Sequence, residues 1–230
     1  MKIAIMGAMP EEIAPILEEL GTYKTTHYAK NNYYEASYKG VDLVIAYSKI
    51  GKVFSTLTAT TMIEHFGAQK LLFSGVAGAI SPSLKVGDLI VAAKLAQHDL
   101  DITAFGHPFG YVPEGAVYVE ADKELIELSK IVAREMNKKI QEGVIATGDQ
   151  FVANEEKKNW IEATFGADAL EMEGASVAVV CDALNIPFFI LRAISDAADM
   201  DASFSFDEFL QTSAQESAEF VMKMVDKLAR

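Results

Sequence analysis

Residues 71–79 read Leu-Leu-Phe-Ser-Gly-Val-Ala-Gly-Ala. The first half is a short apolar run of the kind that forms a strand buried on both faces. The second half is made of residues small enough for backbone N–H groups to approach another molecule. Leu71–Gly75 therefore predicts a strand that runs into a small-residue turn. Such a strand needs helices on both sides of its sheet, and the rest of the chain supplies the pattern. Lys2–Gly7, Gly87–Ala93, Val144–Thr147 and Phe188–Ile194 read as further strands. Tyr33–Tyr38 and Val41–Tyr47 read as a hairpin around Lys39-Gly40. Between them, Glu11–Leu20, Val53–Phe66, Asp122–Met136, Glu155–Phe165 and Gly174–Leu184 read as helices. A last helix is expected from Ser205, with a Ser205/Glu208 capping box. Its apolar stripe runs through Phe206, Leu210, Ala214, Ala218, Val221, Val225 and Leu228. The reading is an α/β fold in one domain, residues 1–230, as a three-layer sandwich with a mixed central sheet flanked by helices. The segment Gln97–Gly115 is the longest irregular stretch, and long loops in compact domains tend to be functional.

Composition narrows the partners. Half of the 230 residues are hydrophobic, which is enough for a sizeable core. With 33 acidic and 20 basic residues the formal charge is −13. That surface repels a nucleic-acid backbone and an anionic membrane, so neither is expected as a partner. The apolar stretch at the N-terminus is short and is followed at once by Glu11 and Glu12, unlike a signal peptide. The single cysteine, Cys181, excludes an internal disulfide and a cysteine-rich zinc site, and it reads as a buried, inert core residue. A cytoplasmic location is expected.

Several motifs fail on inspection. Gly51-Lys52 would end a phosphate-binding loop, but Ala46 stands where a glycine is needed and Val53 where Ser or Thr should follow. There is no G-x-G-x-x-G after the first strand and no G-x-S-x-G anywhere. His98, Asp99, Asp101 and His107 have no recognisable metal-ligand spacing, so no metal and no cofactor are expected. Three strand ends remain, which is where ligands bind in α/β sheets. They are Gly7-Ala8-Met9-Pro10-Glu11-Glu12, Ser74-Gly75-Val76-Ala77-Gly78-Ala79 and Arg192-Ala193-Ile194-Ser195-Asp196. Each has an ordinary structural reading: a first-turn acid, a tight turn, a turn-capping Asp. Beside them Leu-Glu-Met-Glu-Gly-Ala at 170–175 points Glu171 and Glu173 into an otherwise small or apolar run. A buried carboxylate without a partner is costly, so the coincidence suggests a ligand site.

Taken together, Gly-Ala-Met-x-Glu-Glu at the start, Ser-x-Ile-Gly-Lys at 48–52, Val-Gly-Asp at 86–88, Asp-x-Thr-Ala-Phe-Gly at 101–106, Thr-Gly-Asp-x-Phe at 147–151, Glu-Met-Glu-Gly-Ala at 171–175 and Arg-Ala-Ile-Ser-Asp at 192–196 match one family. The chain resembles the bacterial 5'-methylthioadenosine/S-adenosylhomocysteine nucleosidases of the nucleoside phosphorylase superfamily over essentially its whole length. The resemblance implies hydrolysis of the bond between adenine and ribose in these nucleosides, and in 5'-deoxyadenosine. It implies Asp196 as general acid to the purine, oriented by Ser195. It implies Glu173 on the ribose hydroxyls, and Glu12 and Arg192 holding the attacking water, with Glu12 as base and Glu171 nearby. An apolar surrounding would favour the protonated form that Asp196 needs. Phe151 would stack on adenine and Val152 read its edge. Met9, Ile50, Ala77, Gly78, Met172 and Phe206 would line the rest. A homodimer is implied too, with Ile102, Phe105 and Pro113 of the partner subunit closing the pocket. One departure is Val76, where many relatives carry Ser; it removes a hydroxyl that could bind phosphate or water. A phosphorylase of the same fold, a nucleosidase for another 5'-modified adenosine such as aminodeoxyfutalosine, a catalytically silent nucleoside binder and a flavodoxin-like receiver are the other readings. Residues 71–79 contain no Asp, which the receiver would require.

Overall fold

The computed structural model describes residues 1–198 and 202–229. In chain order the elements are β1 (Lys2–Gly7), α1 (Pro10–Leu20), β2 (Lys24–Tyr28), β3 (Asn31–Tyr38), β4 (Val41–Tyr47), α2 (Lys52–Thr60), β5 (Lys70–Ala79), β6 (Leu89–Gln97), β7 (Tyr118–Glu120), α3 (Lys123–Glu135), β8 (Ile140–Thr147), α4 (Glu155–Phe165), β9 (Ala169–Glu171), α5 (Gly174–Ala183), β10 (Phe188–Asp196) and α6 (Ala202–Leu228). All ten strands belong to one mixed sheet. β1 lies parallel between β4 and β5, with β3 and β2 added antiparallel at the edge. β5 is also parallel to β10, β10 antiparallel to β6, β6 parallel to β8, and β9 joins β8 back to β5. The sheet therefore curls until β5, β10, β6, β8 and β9 close a ring within the helix-flanked mixed sheet read from the sequence.

Helices flank this sheet in two groups. α6 lies against β5 and β10 and carries α1 and α3 on its other contacts, while α5 lies against β6 and β8 and carries α2. Ala214, Ala218, Val221 and Val225 of α6 are buried as the stripe required, and Phe220, Met222 and Met224 join them. Burying each large side chain of this kind contributes about 1.5–3 kcal/mol. Polar stitches cross that interface: Ser74 Oγ donates to Ser217 Oγ at 2.9 Å, the Gly75 amide donates to the same Ser217 oxygen at 3.1 Å, and Ser213 Oγ donates to the Ile194 carbonyl at 3.2 Å. Among the described residues no helix is long and apolar enough to cross a membrane.

Four local readings are corrected. β5 does not turn after Gly75 but continues to Ala79, because Gly75–Gly78 pair with β10 and Gly78–Ala79 with β9. α6 starts at Ala202, so Ser205 and Glu208 lie inside it and form no cap. The Val53–Phe66 helix is α2 followed by a π-helical turn, Thr61–His65. Strands β2, β7 and β9 were missed: β2 is polar and mostly exposed, and the other two have three residues each. The loop after β6 is irregular as expected, with one 3-10 turn at Thr103–Phe105.

Candidate active site

The ends of β1, β5, β9 and β10 surround a cavity that opens to solvent. Glu12 reaches it from the first turn of α1. Its Oε2 accepts from the amides of Ala8 (2.5 Å) and Met9 (3.0 Å), and its Oε1 from the amide of Val76 (3.1 Å). Glu12 thus both caps its helix and faces the cavity. Burial pushes its pKa up, against the opposing pull of Arg192 and the three amides. Gly75 is what lets β5 pass so close: a Cβ there would lie 2.8 Å from Glu12 Oε1 and 3.2 Å from Arg192 Nη1.

Asp196 ends β10 on the far side. Its Oδ2 accepts from Ser195 Oγ at 2.9 Å and its Oδ1 from the Ala198 amide at 2.8 Å. The β5–β10 register shifts between Ile194 and Asp196, an irregularity of the kind that re-aims side chains beside functional sites. Gly78 faces Asp196 so closely that a Cβ would lie 2.6 Å from Oδ1. The small residues of the opening stretch therefore make room for three charged side chains rather than form a turn.

Glu171 and Glu173 differ sharply. Glu171 accepts from Thr147 Oγ1 (2.5 Å), from the Gly174 amide on both oxygens (3.0 and 2.7 Å), from the Glu173 amide (3.1 Å) and from Arg192 Nη2 (2.7 Å). Glu173, at the head of α5, has Oε1 held by the Gly51 amide at 2.8 Å. Burial, reinforced by the Glu171 carboxylate, pushes the Glu173 pKa up to about 8.

The cavity wall brings together Met9, Glu12, Ile50, Ala77, Gly78, Phe151, Val152, Glu171, Met172, Glu173, Ser195, Asp196 and Phe206. Phe151 and Phe206 meet edge to face, with centroids 5.7 Å apart. Arg192 stands apart from this wall. Its guanidinium is buried behind Glu171, donates to the Phe73 and Leu191 carbonyls at 3.3 and 3.1 Å, and stacks on the Phe73 ring at 4.1 Å. Its charge pairs with Glu171 at 2.7 Å and acts on Glu12. Ile102, Phe105 and Pro113 do not reach this cavity; Phe105 is 81% exposed on the loop after β6. Gln150, Val76 and Leu170 also line the wall, although the motif reading gave them no ligand contact.

His98 and Asp99 lie in different surroundings. The His98 ring is buried against Gly148 with neither nitrogen hydrogen-bonded, and burial pushes its pKa down to about 4. Asp99 pairs with Lys52 at 2.6 Å. Among the described residues no group of three His, Cys, Asp or Glu side chains converges as a metal would require.

Residues 2–226 match the family model of the phosphorylase superfamily. The chain belongs to that superfamily. It is 60% identical to an aminodeoxyfutalosine nucleosidase of Campylobacter jejuni, over 99% of this chain and 100% of that protein. A crystal structure of a 5'-methylthioadenosine/S-adenosyl homocysteine nucleosidase, also from Campylobacter jejuni, superposes with a TM-score of 0.95 at 59% identity, covering 99% of each chain. The Helicobacter pylori 5'-methylthioadenosine/S-adenosylhomocysteine nucleosidase with butyl-thio-DADMe-Immucillin-A superposes with a TM-score of 0.97 at 51% identity, covering 98% of each chain. Within the phosphorylase superfamily the chain is thus of the nucleosidase type, an N-glycosyl hydrolase fold with the four carboxylates of this cavity in place.

Proposed function

We propose that the protein, as one domain, hydrolyses the N-glycosidic bond of 5'-substituted adenine nucleosides. Its substrates are 5'-methylthioadenosine and S-adenosylhomocysteine, with 5'-deoxyadenosine and aminodeoxyfutalosine in the same class. The observation that carries the reading is the convergence of Glu12, Glu173 and Asp196 on one cavity from three different elements. Breaking this bond builds positive charge on the sugar and negative charge on the base. Asp196, oriented by Ser195, protonates the purine; Glu173 bonds the ribose hydroxyls beside Met172; Glu12 takes the proton of the attacking water. Glu171 anchors Arg192 and the start of α5. Phe151 stacks on adenine, Val152 reads its edge, and Met9, Ile50, Ala77, Gly78 and Phe206 enclose the sugar and the 5'-substituent. Phosphate as nucleophile is disfavoured, because Glu12 sits on that side and Val76 offers no hydroxyl. The names of the relatives cover both the thionucleosides and aminodeoxyfutalosine, which supports one site with a permissive 5' end.

The same reading makes the protein a cytoplasmic homodimer without cofactor. Val53, Phe54 and Leu57 on α2 and Phe105 on the loop after β6 are exposed, apolar surface rarely left to water. Across it, Ile102, Phe105 and Pro113 of the partner subunit wall off the 5'-substituent. Leu57→Glu is expected to yield a monomer with weakened activity, read by sedimentation together with turnover. The test of the substrate class is adenine release from 5'-methylthioadenosine, S-adenosylhomocysteine and aminodeoxyfutalosine in turn. Release from at least one is expected; release from none would leave only a silent binder.

A further inference from the structure

Three loops that follow β4, β6 and β8 are tied by a closed ring. Lys52 Nζ donates to Asp99 Oδ1 at 2.6 Å, and Asp99 Oδ2 accepts from the Asp149 amide at 2.8 Å. Asp149 Oδ1 in turn accepts from the Lys52 amide at 2.7 Å, which completes the ring. Gln97 Oε1 takes a further contact from the ammonium at 3.2 Å. Exposed ion pairs usually contribute little. This one is different in kind: the Lys52 and Asp99 side chains are only 19% and 16% exposed, and the carboxylate also fixes a backbone amide.

The ring adjoins Glu173, which lines the cavity. Gly51, at φ +99°, sends its amide to Glu173 Oε1, while the next amide, Lys52, goes to Asp149. A Cβ at Gly51 would lie 2.9 Å from Asp149 Oδ1, so that carboxylate is packed against the turn. Asp149 thus holds the amide next to the one that Glu173 accepts from, so moving Asp149 shifts the tight turn at Gly51 that aims both amides. The loop that begins at Gly148 also carries Phe151 and Val152, and His98 packs against it at Gly148.

We propose that Lys52 is a positioning residue, which aims the Gly51 amide at Glu173 through its ring with Asp99 and Asp149. The inference rests on the reading of Glu173 as the ligand of the ribose hydroxyls. The experiment measures kcat/KM for adenine release from 5'-methylthioadenosine and from its 2',3'-dideoxy analogue, which offers Glu173 no hydroxyl. The wild type, Lys52→Met, Asp99→Asn and Glu173→Gln are compared, each with its Tm. Lys52→Met is expected to lose about tenfold or more on the parent nucleoside and less than about twofold on the analogue, as a displaced sugar ligand would. Asp99→Asn breaks the same ring and carries the test alone should Lys52→Met not fold. A merely structural role would lower Tm and cut both substrates alike, and that result overturns the proposal, as does an unchanged parent rate. Equal loss on both substrates in Glu173→Gln would instead remove the ribose role of Glu173, and the Lys52 proposal with it.

Discussion

The floor of the cavity and its rim are built on opposite terms. On the floor, Glu12, Glu171 and Asp196 are buried, with Arg192 buried behind them, and the hydrogen bonds named above hold each from at least two directions. At the rim, Ile50 and Phe151 are about half exposed, and Phe105 and the α2 face present apolar side chains to water. The floor is finished within one chain and can hold reacting groups in place without further ordering. The rim is apolar and exposed, which suits the permissive 5' end and the second subunit proposed above. Even on the floor there is a division of labour: Glu171 is saturated with donors, whereas Glu173 keeps oxygen available for a ligand.

The comparison can be broken most decisively at Asp196. Asp196→Asn is expected to lower kcat by about 10²–10⁴-fold while substrate affinity stays near the wild-type value, measured by steady-state kinetics and calorimetry. Near-normal turnover would remove Asp196 as the acid. Next in size is the buried pair behind the floor. Glu171→Ala leaves Arg192 uncompensated and is expected to cost about 3–5 kcal/mol in denaturant unfolding, whereas Glu173→Gln should not destabilise the ligand-free protein. Comparable destabilisation by both would erase the distinction between them. At the rim, Phe151→Ala should raise KM by about tenfold and change Tm little, since the half-exposed ring gives up only its edge-to-face contact with Phe206.

The smallest effect is one of pH. Glu173 has its folded pKa raised from 4.5 to about 8, so the folded protein binds a proton that the unfolded chain releases. Its contribution to stability is complete below 4.5 and is lost as pH rises through about 8. Tm of the ligand-free protein should fall across that window, and Glu173→Gln should flatten the fall. Glu12, shifted the same way, leaves part of the slope in that variant.

The floor was legible in the sequence because each of its residues closes a strand or opens a helix with an apolar pattern: Gly7 before Glu12, Phe188–Ile194 before Asp196, Glu171 before α5. Where local pattern is weak the reading failed. β7 and β9 have three residues each, and β9 exists only because β5 and β8 pair with it. The extension of β5 past Gly75 came from pairing with β10, which is more than 100 residues away in the chain, so no window around Gly75 could reveal it. The ring of Lys52, Asp99 and Asp149 escaped for the same reason. Each residue looks like an ordinary loop charge, and only the fold sets the three side by side.

The central claim is that water attacks the sugar under the control of Glu12. Its most direct test is adenine release from 5'-methylthioadenosine after exhaustive removal of phosphate, repeated with phosphate restored, with the sugar product followed by phosphorus NMR. The account predicts equal rates and a sugar free of phosphate. Release only with phosphate, accompanied by a sugar 1-phosphate, would contradict it and make the protein a phosphorylase.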